Sequence, residues 1–343
     1  MDPAAVWEGE ELAARGARAL LAPLGWLYGV GVAGRNALFD AGFLRSRPTA
    51  LPAISVGNLS VGGTGKTPVA ADIARRLVAG GGRPALILRG YGDDEPAVHA
   101  ILNPDVPVLT SPDRVAASAE ARSRGCDVVV LDDAFQHRWA RREVDVVLVA
   151  AEQWRPPHRL LPAGRYREPP ASLGRATLVV VTRKTASAEE ALGVRDAVAR
   201  LTTAPTATVA FQLDVLRRVG GDGETRALST LRGESVLAVT GIGAPGAFGR
   251  QLEREGADVE LVSFPDHHRF SASEVTEIVR RAPHGGCVVC TLKDAVKLGA
   301  MWPRASVPLW YVSQRLTLES GEPAYDAAIR QVLNARSHAP TIR

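Results

Sequence analysis

Past Pro52 the chain alternates short β-branched runs with helical stretches. AISVGN leads into a glycine-rich loop and then TPVAADIARRLVAGG, after which come PALILRG, DVVVLDDAF, VDVVLVAAE and ATLVVVTRK. Continuous apolar strands separated by helices predict a parallel sheet covered on both faces. A second series begins near Ser235, with VLAVTGIGAP, a helix AFGRQLEREG, VELVSFPDH, a helix SASEVTEIVRRA and CVVCTLKDAVKL. It predicts a smaller α/β lobe. TATVAFQLDVLRRVGGDG alternates polar and apolar residues and ends in glycines, which suits a link between lobes, and PLWYVSQRL suits the return strand.

Composition narrows the class. At 46% hydrophobic and 23% charged residues, with no low-complexity tract, the chain is a folded globular protein, and 343 residues suggest two domains. Cys126, Cys287 and Cys290 are too few for a disulfide framework. A net charge of +4 does not call for nucleic acid. The basic residues are informative by type: Lys66, Lys184, Lys293 and Lys297 are the four lysines among 41 basic residues. Where lysine persists against such a bias, the question is whether arginine would fail, and at Lys66 an arginine would not easily enter the space.

Glu8, Glu10 and Glu11 stand where a cleaved signal peptide would be cationic. Between Arg18 and Arg35 lie 16 uncharged residues, ALLAPLGWLYGVGVAG, short of the about 20 that cross a bilayer and interrupted by Pro23 and four glycines. Five arginines, one aspartate and the aromatics Trp26, Tyr28, Phe39 and Phe43 occupy residues 15–47. A segment lying in a membrane interface and an apolar helix packed on the domain both fit this pattern.

Ser60-Val61-Gly62-Gly63-Thr64-Gly65-Lys66-Thr67 sits between a predicted strand and helix, where a phosphate loop must sit. Its glycines let backbone N–H groups wrap a polyphosphate, Lys66 supplies a mobile charge, and Thr67 offers a hydroxyl to Mg²⁺. Ser60 departs from the first glycine of the general pattern. Val128–Leu131 then form an apolar strand ending in Asp132 and Asp133, carboxylates that parallel pairing delivers to the same sheet edge, where either suits Mg²⁺. A nucleotide-driven switch ATPase or GTPase would share these elements.

Six ordered motifs separate the two readings: SVGGTGKTP, RGYG with DEP, DDAFQH, LLPAG with REP, FPDHH and LKDAVK. In this order they resemble the tetraacyldisaccharide 4'-kinases of lipid A synthesis, a family that also uses Ser or Thr at the position of Ser60. The resemblance implies ATP and Mg²⁺ as cofactors, held by Ser60, Gly62, Gly63, Thr64, Gly65, Lys66 and Thr67, with Thr67, Asp132 and Asp133 at the metal. It implies Lys66 in catalysis, a catalytic base Asp94 paired with His267, and substrate contacts from Gln136, His137 and Arg167, beside Glu168. The implied reaction phosphorylates the 4'-hydroxyl of a tetraacyldisaccharide 1-phosphate to give lipid IVA. The implied protein is a peripheral monomer at the cytoplasmic face of the inner membrane, with an acylated glucosamine disaccharide as substrate and no nucleic-acid partner.

The fold expected is a P-loop NTPase-like parallel sheet with helices on both faces plus a second α/β lobe joined by a β linker. Its segments are a membrane-associating stretch at 1–50, the kinase core at 51–205, the linker at 206–222, the second lobe at 223–320, and a C-terminal helix and tail at 321–343. Four departures from the family are visible: Ala134 replaces a glycine, the usual insertion before Asp93-Asp94 is missing, Arg165-Tyr166 stands for Pro-Leu, and Leu292 stands for Glu.

Other motifs point elsewhere. Gly241-Ile242-Gly243-Ala244-Pro245-Gly246 is a literal dinucleotide fingerprint, weakened by Pro245, which has no N–H to offer. Cys287-Val288-Val289-Cys290 has metal-like spacing but lies within a predicted strand, where buried thiols are expected. His267 and His268 beside Asp266 are adjacent residues that converge poorly on zinc. His99, His158, His284 and His338 are expected to be solvated.

Overall fold

The protein is described here from a computed structural model covering residues 3–90, 94–221, 223–243, 245–266 and 268–336. It opens with α1 (Pro3–Glu8) and α2 (Leu12–Asp40), followed by β1 (Ala53–Asn58), α3 (Lys66–Ala79), β2 (Pro84–Leu88), α4 (Asp94–Leu102), β3 (Val108–Thr110) and α5 (Arg114–Ser123). Next come β4 (Val128–Asp132), β5 (Val144–Ala150), β6 (Leu178–Arg183), α6 (Ala188–Ala199) and β7 (Thr206–Arg218). The remainder is β8 (Thr225–Ala227), β9 (Ser235–Thr240), α7 (Pro245–Arg254), β10 (Asp258–Ser263), α8 (Ala272–Arg281), β11 (Cys287–Thr291), α9 (Leu292–Leu298), β12 (Leu309–Ser320) and α10 (Glu322–Ala335).

Two compact units result, one from residues 3–90, 102–210 and 318–336, the other from 94–101 and 211–317. The core expected at 51–205 is divided, residues 94–101, including Asp94, grouping with the second unit. The segment expected as a linker is largely the long strand β7, and the chain passes between units along β7 and β12.

In the first unit the strands run β7-β6-β5-β1-β4-β2-β3, parallel throughout. Every residue of β1, β2 and β4 is buried, as continuous apolar runs require. On one face Val147, Val149, Val179 and Val181 pack under Ala191, Val194 and Val198 of α6. On the other, Ile54, Val146 and Leu178 meet Ile73 of α3 and Tyr325 of α10. Asp113 starts α5 by accepting from Val115 N (2.9 Å) and Ala116 N (3.1 Å), and Ser187 starts α6 with a reciprocal capping box.

The second unit has parallel strands in the order β10-β9-β11-β12, and β8 pairs antiparallel with β7. Cys287 and Cys290 are three apart on β11, so they point to opposite faces, and each is a free thiol in a different apolar cluster. They are buried thiols, as expected, and this strand geometry keeps them from sharing a metal.

The helix α2 runs unbroken through Pro23, where the sequence suggested an interruption. Gly25, Val32 and Phe39, seven residues apart, form its buried seam. The opposite face leaves Leu20, Leu24 and Leu27 exposed at 81%, 52% and 58%. Among the described residues no helix is long and apolar enough to cross a membrane.

Candidate active site

The phosphate loop follows β1, whose last residue Asn58 organises it. Asn58 Nδ2 donates to Thr64 Oγ1 (2.9 Å), while Asn58 Oδ1 accepts from Lys66 Nζ (3.3 Å). Thr182, on β6, donates its hydroxyl to Thr64 O (2.9 Å), and Lys184 Nζ donates to Gly63 O (2.8 Å). The loop enters α3 through Gly65 at φ 91°, a left-handed conformation that a side chain would strain. Behind it, Val61 N donates to Arg165 O (2.8 Å), and Ser60 bridges Tyr166. The Arg165-Tyr166 departure therefore serves as backing for the loop: Tyr166 OH meets His158 Nδ1 at 2.9 Å, and burial pushes its phenol up to about 12.

Parallel pairing of β1 with β4 puts the acid pair beside this loop, as the sequence predicted. Lys66 Nζ lies 3.6 Å from Asp133 Oδ1, and Arg167 Nη1 is 3.0 Å from both Asp133 carboxylate oxygens. Burial alone would push the Asp133 carboxyl up, but Lys66 and Arg167 outweigh it and hold it below its ordinary range. Asp133 is the one non-glycine residue at positive φ (49°) among those described, so the left-handed turn falls there and Ala134 is spared it. Asp132 is buried, and its Oδ1 accepts from Asp133 N (2.8 Å).

Gln136 Nε2 donates to Asn58 O (2.9 Å), tying the DDAFQH turn to β1. Half-buried His137 has its pKa lowered to about 4, chiefly by desolvation and then by Arg114, Arg142 and Arg89. It is neutral at physiological pH. Glu168 is fully buried, with Arg35 Nη2 on one oxygen (2.9 Å) and Arg175 Nη2 on the other (2.6 Å). Because Arg35 belongs to α2, Glu168 fastens that helix beneath the site. Tyr28 OH, also on α2, donates to Arg167 O (3.0 Å). The LLPAG loop meets the same helix so closely that a Cβ on Gly29 would sit 2.8 Å from Leu160 Cδ1.

Asp94 lies in the second unit, buried at the start of α4, with Oδ1 accepting from Glu95 N (3.1 Å). Lys297 Nζ is 4.0 Å from its Oδ2. His267, its expected partner, lies outside the described residues. The neighbouring His268 stacks on Phe264 and pairs with Glu274 (3.1 Å), as part of the start of α8. The amide of Gly241, first glycine of the dinucleotide-like motif, donates to Asp294 Oδ1 (3.1 Å) and so already has a partner.

Two histidines expected in solvent are not there. His99 is fully buried in α4, and His158 packs between Trp154 and Tyr166. Their polar sequence neighbours concealed contacts made by tertiary packing. Asn58, Thr182, Lys184 and Lys297 escaped assignment from sequence. The rarity of lysine flagged Lys184 and Lys297, whereas no sequence signal marked Asn58 or Thr182.

A parallel sheet with a phosphate loop at the head of α3 and an acid pair on the neighbouring strand defines a P-loop α/β protein. The family model described as Tetraacyldisaccharide-1-P 4'-kinase matches residues 17–99 and 93–334. The chain is 40% identical over 290 residues to a tetraacyldisaccharide 4'-kinase of Anaeromyxobacter dehalogenans (strain 2CP-C), covering 77% of each chain. It is 41% identical over 323 residues to that of Anaeromyxobacter sp. (strain Fw109-5), covering 85% of this chain and 86% of the relative. A crystal structure of LpxK from Aquifex aeolicus in complex with ATP superposes with a TM-score of 0.73 at 28% identity, over 92% of this chain and 99% of that one. The chain belongs to the tetraacyldisaccharide-1-P 4'-kinase family, and it is a kinase. The switch reading is set aside.

Proposed function

We propose that this kinase transfers the γ-phosphoryl group of ATP to the 4'-hydroxyl of a tetraacylated glucosamine disaccharide 1-phosphate, giving lipid IVA. The observation that carries the reading is the Lys66–Asp133 pair at the head of α3 (3.6 Å), a mobile cation and a carboxylate side by side at a phosphate loop. Phosphoryl transfer asks a protein mainly for position and charge neutralisation. Lys66 neutralises charge on the transferred group, and the N–H groups of residues 62–67 cradle the phosphates.

The Thr67 hydroxyl with the Asp132 and Asp133 carboxylates is a set of hard oxygen donors that fits Mg²⁺. When bound, Mg²⁺ neutralises developing phosphate charge. Asp133 is already ionised through Lys66 and Arg167, so it needs no proton loss to serve as a ligand. Asp94, supported by His267, takes the proton of the attacking hydroxyl. Arg167 commits one guanidinium nitrogen to Asp133, and its remaining N–H groups, with Gln136 and neutral His137, suit a sugar or its phosphate.

The acyl chains require access from a bilayer. The exposed leucines of α2, with Trp26 (69% exposed) and the basic residues Arg15, Arg18, Arg45 and Arg47, suit peripheral attachment to an anionic inner-membrane surface on the cytoplasmic side. The test is mass spectrometry of the lipid after incubation with ATP and Mg²⁺. A second phosphate at the 4' position is expected, and an unmodified disaccharide in the presence of active, folded protein would exclude the reading.

A further inference from the structure

We propose that Asn58 is a positioning residue for Lys66: its neutral amide directs the ammonium at the head of α3 without cancelling its charge, so that Lys66 exchanges that bond for a phosphate oxygen when ATP arrives. The inference rests on the reading of Lys66 as the cation that serves the transferred phosphate.

Burial supplies the first observation. Asn58 closes β1, a strand whose 6 residues are all buried. An amide in such a place costs free energy unless its polar atoms are bonded. Here they are. Nδ2 donates to Thr64 Oγ1 (2.9 Å), Oδ1 accepts from Lys66 Nζ (3.3 Å), and the backbone oxygen of Asn58 accepts from Gln136 Nε2 (2.9 Å). A lysine ammonium only donates, so the amide oxygen must face Lys66 and the amide nitrogen Thr64. One side chain thus sets the loop and the direction of its cation together.

Charge supplies the second. Lys66 Nζ also lies 3.6 Å from Asp133 Oδ1, but that carboxylate is shared with Arg167, which approaches both of its oxygens at 3.0 Å. Part of the Lys66 charge is therefore left for a ligand. Aspartate has the size of asparagine and would accept from both Lys66 and the Thr64 hydroxyl, so geometry alone does not select the amide. The difference is charge. A buried carboxylate against the ammonium would add the attraction of two full charges, hold Lys66 against a competing phosphate and repel the polyphosphate itself. An apolar residue fails the other way, because it leaves the ammonium charged but undirected. At 3.3 Å the Lys66 bond is the longer of the two that the amide makes, in keeping with one that is given up.

The experiment measures binding of ATP and of ADP by isothermal titration calorimetry, without lipid, for the full chain as wild type, Asn58→Asp, Asn58→Ala, Lys66→Ala and the pair Asn58→Ala/Lys66→Ala. Turnover is measured beside it, and thermal melts check folding. Asn58→Asp should weaken ATP by about 30-fold or more and ADP by a clearly smaller factor, because the charge lost to binding serves the γ as well as the β phosphate. A merely structural defect would weaken both nucleotides alike. Asn58→Ala should bind ATP within about threefold of wild type yet lower kcat by about tenfold or more, and the pair should turn over no more slowly than Lys66→Ala alone. Should Asn58→Asp fail to fold, Asn58→Ala and the pair decide the matter.

Wild-type ATP affinity in Asn58→Asp, equal losses for ATP and ADP, wild-type kcat in Asn58→Ala, or losses that multiply in the pair would overturn the proposal. Any of these beside an impaired Lys66→Ala removes this inference alone, whereas wild-type turnover in Lys66→Ala removes the reading of Lys66 and this inference with it.

Discussion

Lys66 and Arg167 converge on one carboxylate, Asp133, at 3.6 Å and 3.0 Å. Lys66 belongs to the phosphate loop, Asp133 to the end of β4 and Arg167 to the REP motif, so three separated motifs meet at one charge. Lys66→Ala removes the charge that follows the transferred phosphoryl group. Turnover should fall by about a thousandfold or more, a barrier rise of at least about 4 kcal/mol, with the melting temperature nearly unchanged. Steady-state kinetics beside a thermal melt checks both halves of this expectation.

Glu168 carries a different role from Arg167, its neighbour. Glu168→Gln leaves Arg35 and Arg175 facing a neutral amide in a fully buried position. Breaking a buried pair costs about 3–5 kcal/mol, and the partial exposure of both arginines reduces that to roughly 1–3 kcal/mol. Urea unfolding should show the lower midpoint, and proteolysis should cut earlier within residues 12–40 as α2 loosens.

His137 makes stability depend on pH. Its folded pKa of about 4 lies below the ordinary value of 6.5, so the unfolded chain binds the proton first as pH falls. Its contribution is complete above about pH 6.5 and is lost as pH drops toward 4. For a half-buried ring this amounts to on the order of 2 kcal/mol. Unfolding free energies between pH 4 and 7 should flatten in His137→Gln, and an unchanged slope would show that other groups carry the dependence.

The exposed face of α2 is separable from its buried seam. Leu20→Ser, Leu24→Ser and Leu27→Ser together should abolish sedimentation with anionic liposomes, yet leave kcat on detergent-solubilised substrate within about twofold. Tyr28 is unsuited to this test, because its hydroxyl holds Arg167 O. Retained sedimentation would place the membrane contact elsewhere.

These distinctions mark how far the sequence could be read. The phosphate loop and the acid pair were legible because both depend on local pattern, a glycine loop between strand and helix and an apolar strand ending in two carboxylates. The passage of α2 through Pro23 was not, because its buried seam forms against residues far away in sequence, Leu160 and Ala163 at Gly25 and Arg138 and Trp139 at Phe39. His99 and His158 misled for the same reason. The left-handed turn at Asp133 was equally hidden, since substituting Ala134 for glycine says only where such a turn is absent. Lys297 was marked by its rarity, but its relation to Asp94 joins residues about two hundred positions apart.

The central claim is that the phosphate loop drives phosphoryl transfer to a lipid hydroxyl. The direct measurement is the rate of label transfer from γ-labelled ATP, followed in parallel as lipid-bound and free phosphate, with and without the tetraacyldisaccharide 1-phosphate. Wild-type protein with Mg²⁺ should put nearly all label on the lipid and release little phosphate without it, and Lys66→Ala should neither label the lipid nor release free phosphate at an appreciable rate. Free phosphate released at the same rate whether or not lipid is present, with the lipid unlabelled, would contradict the account.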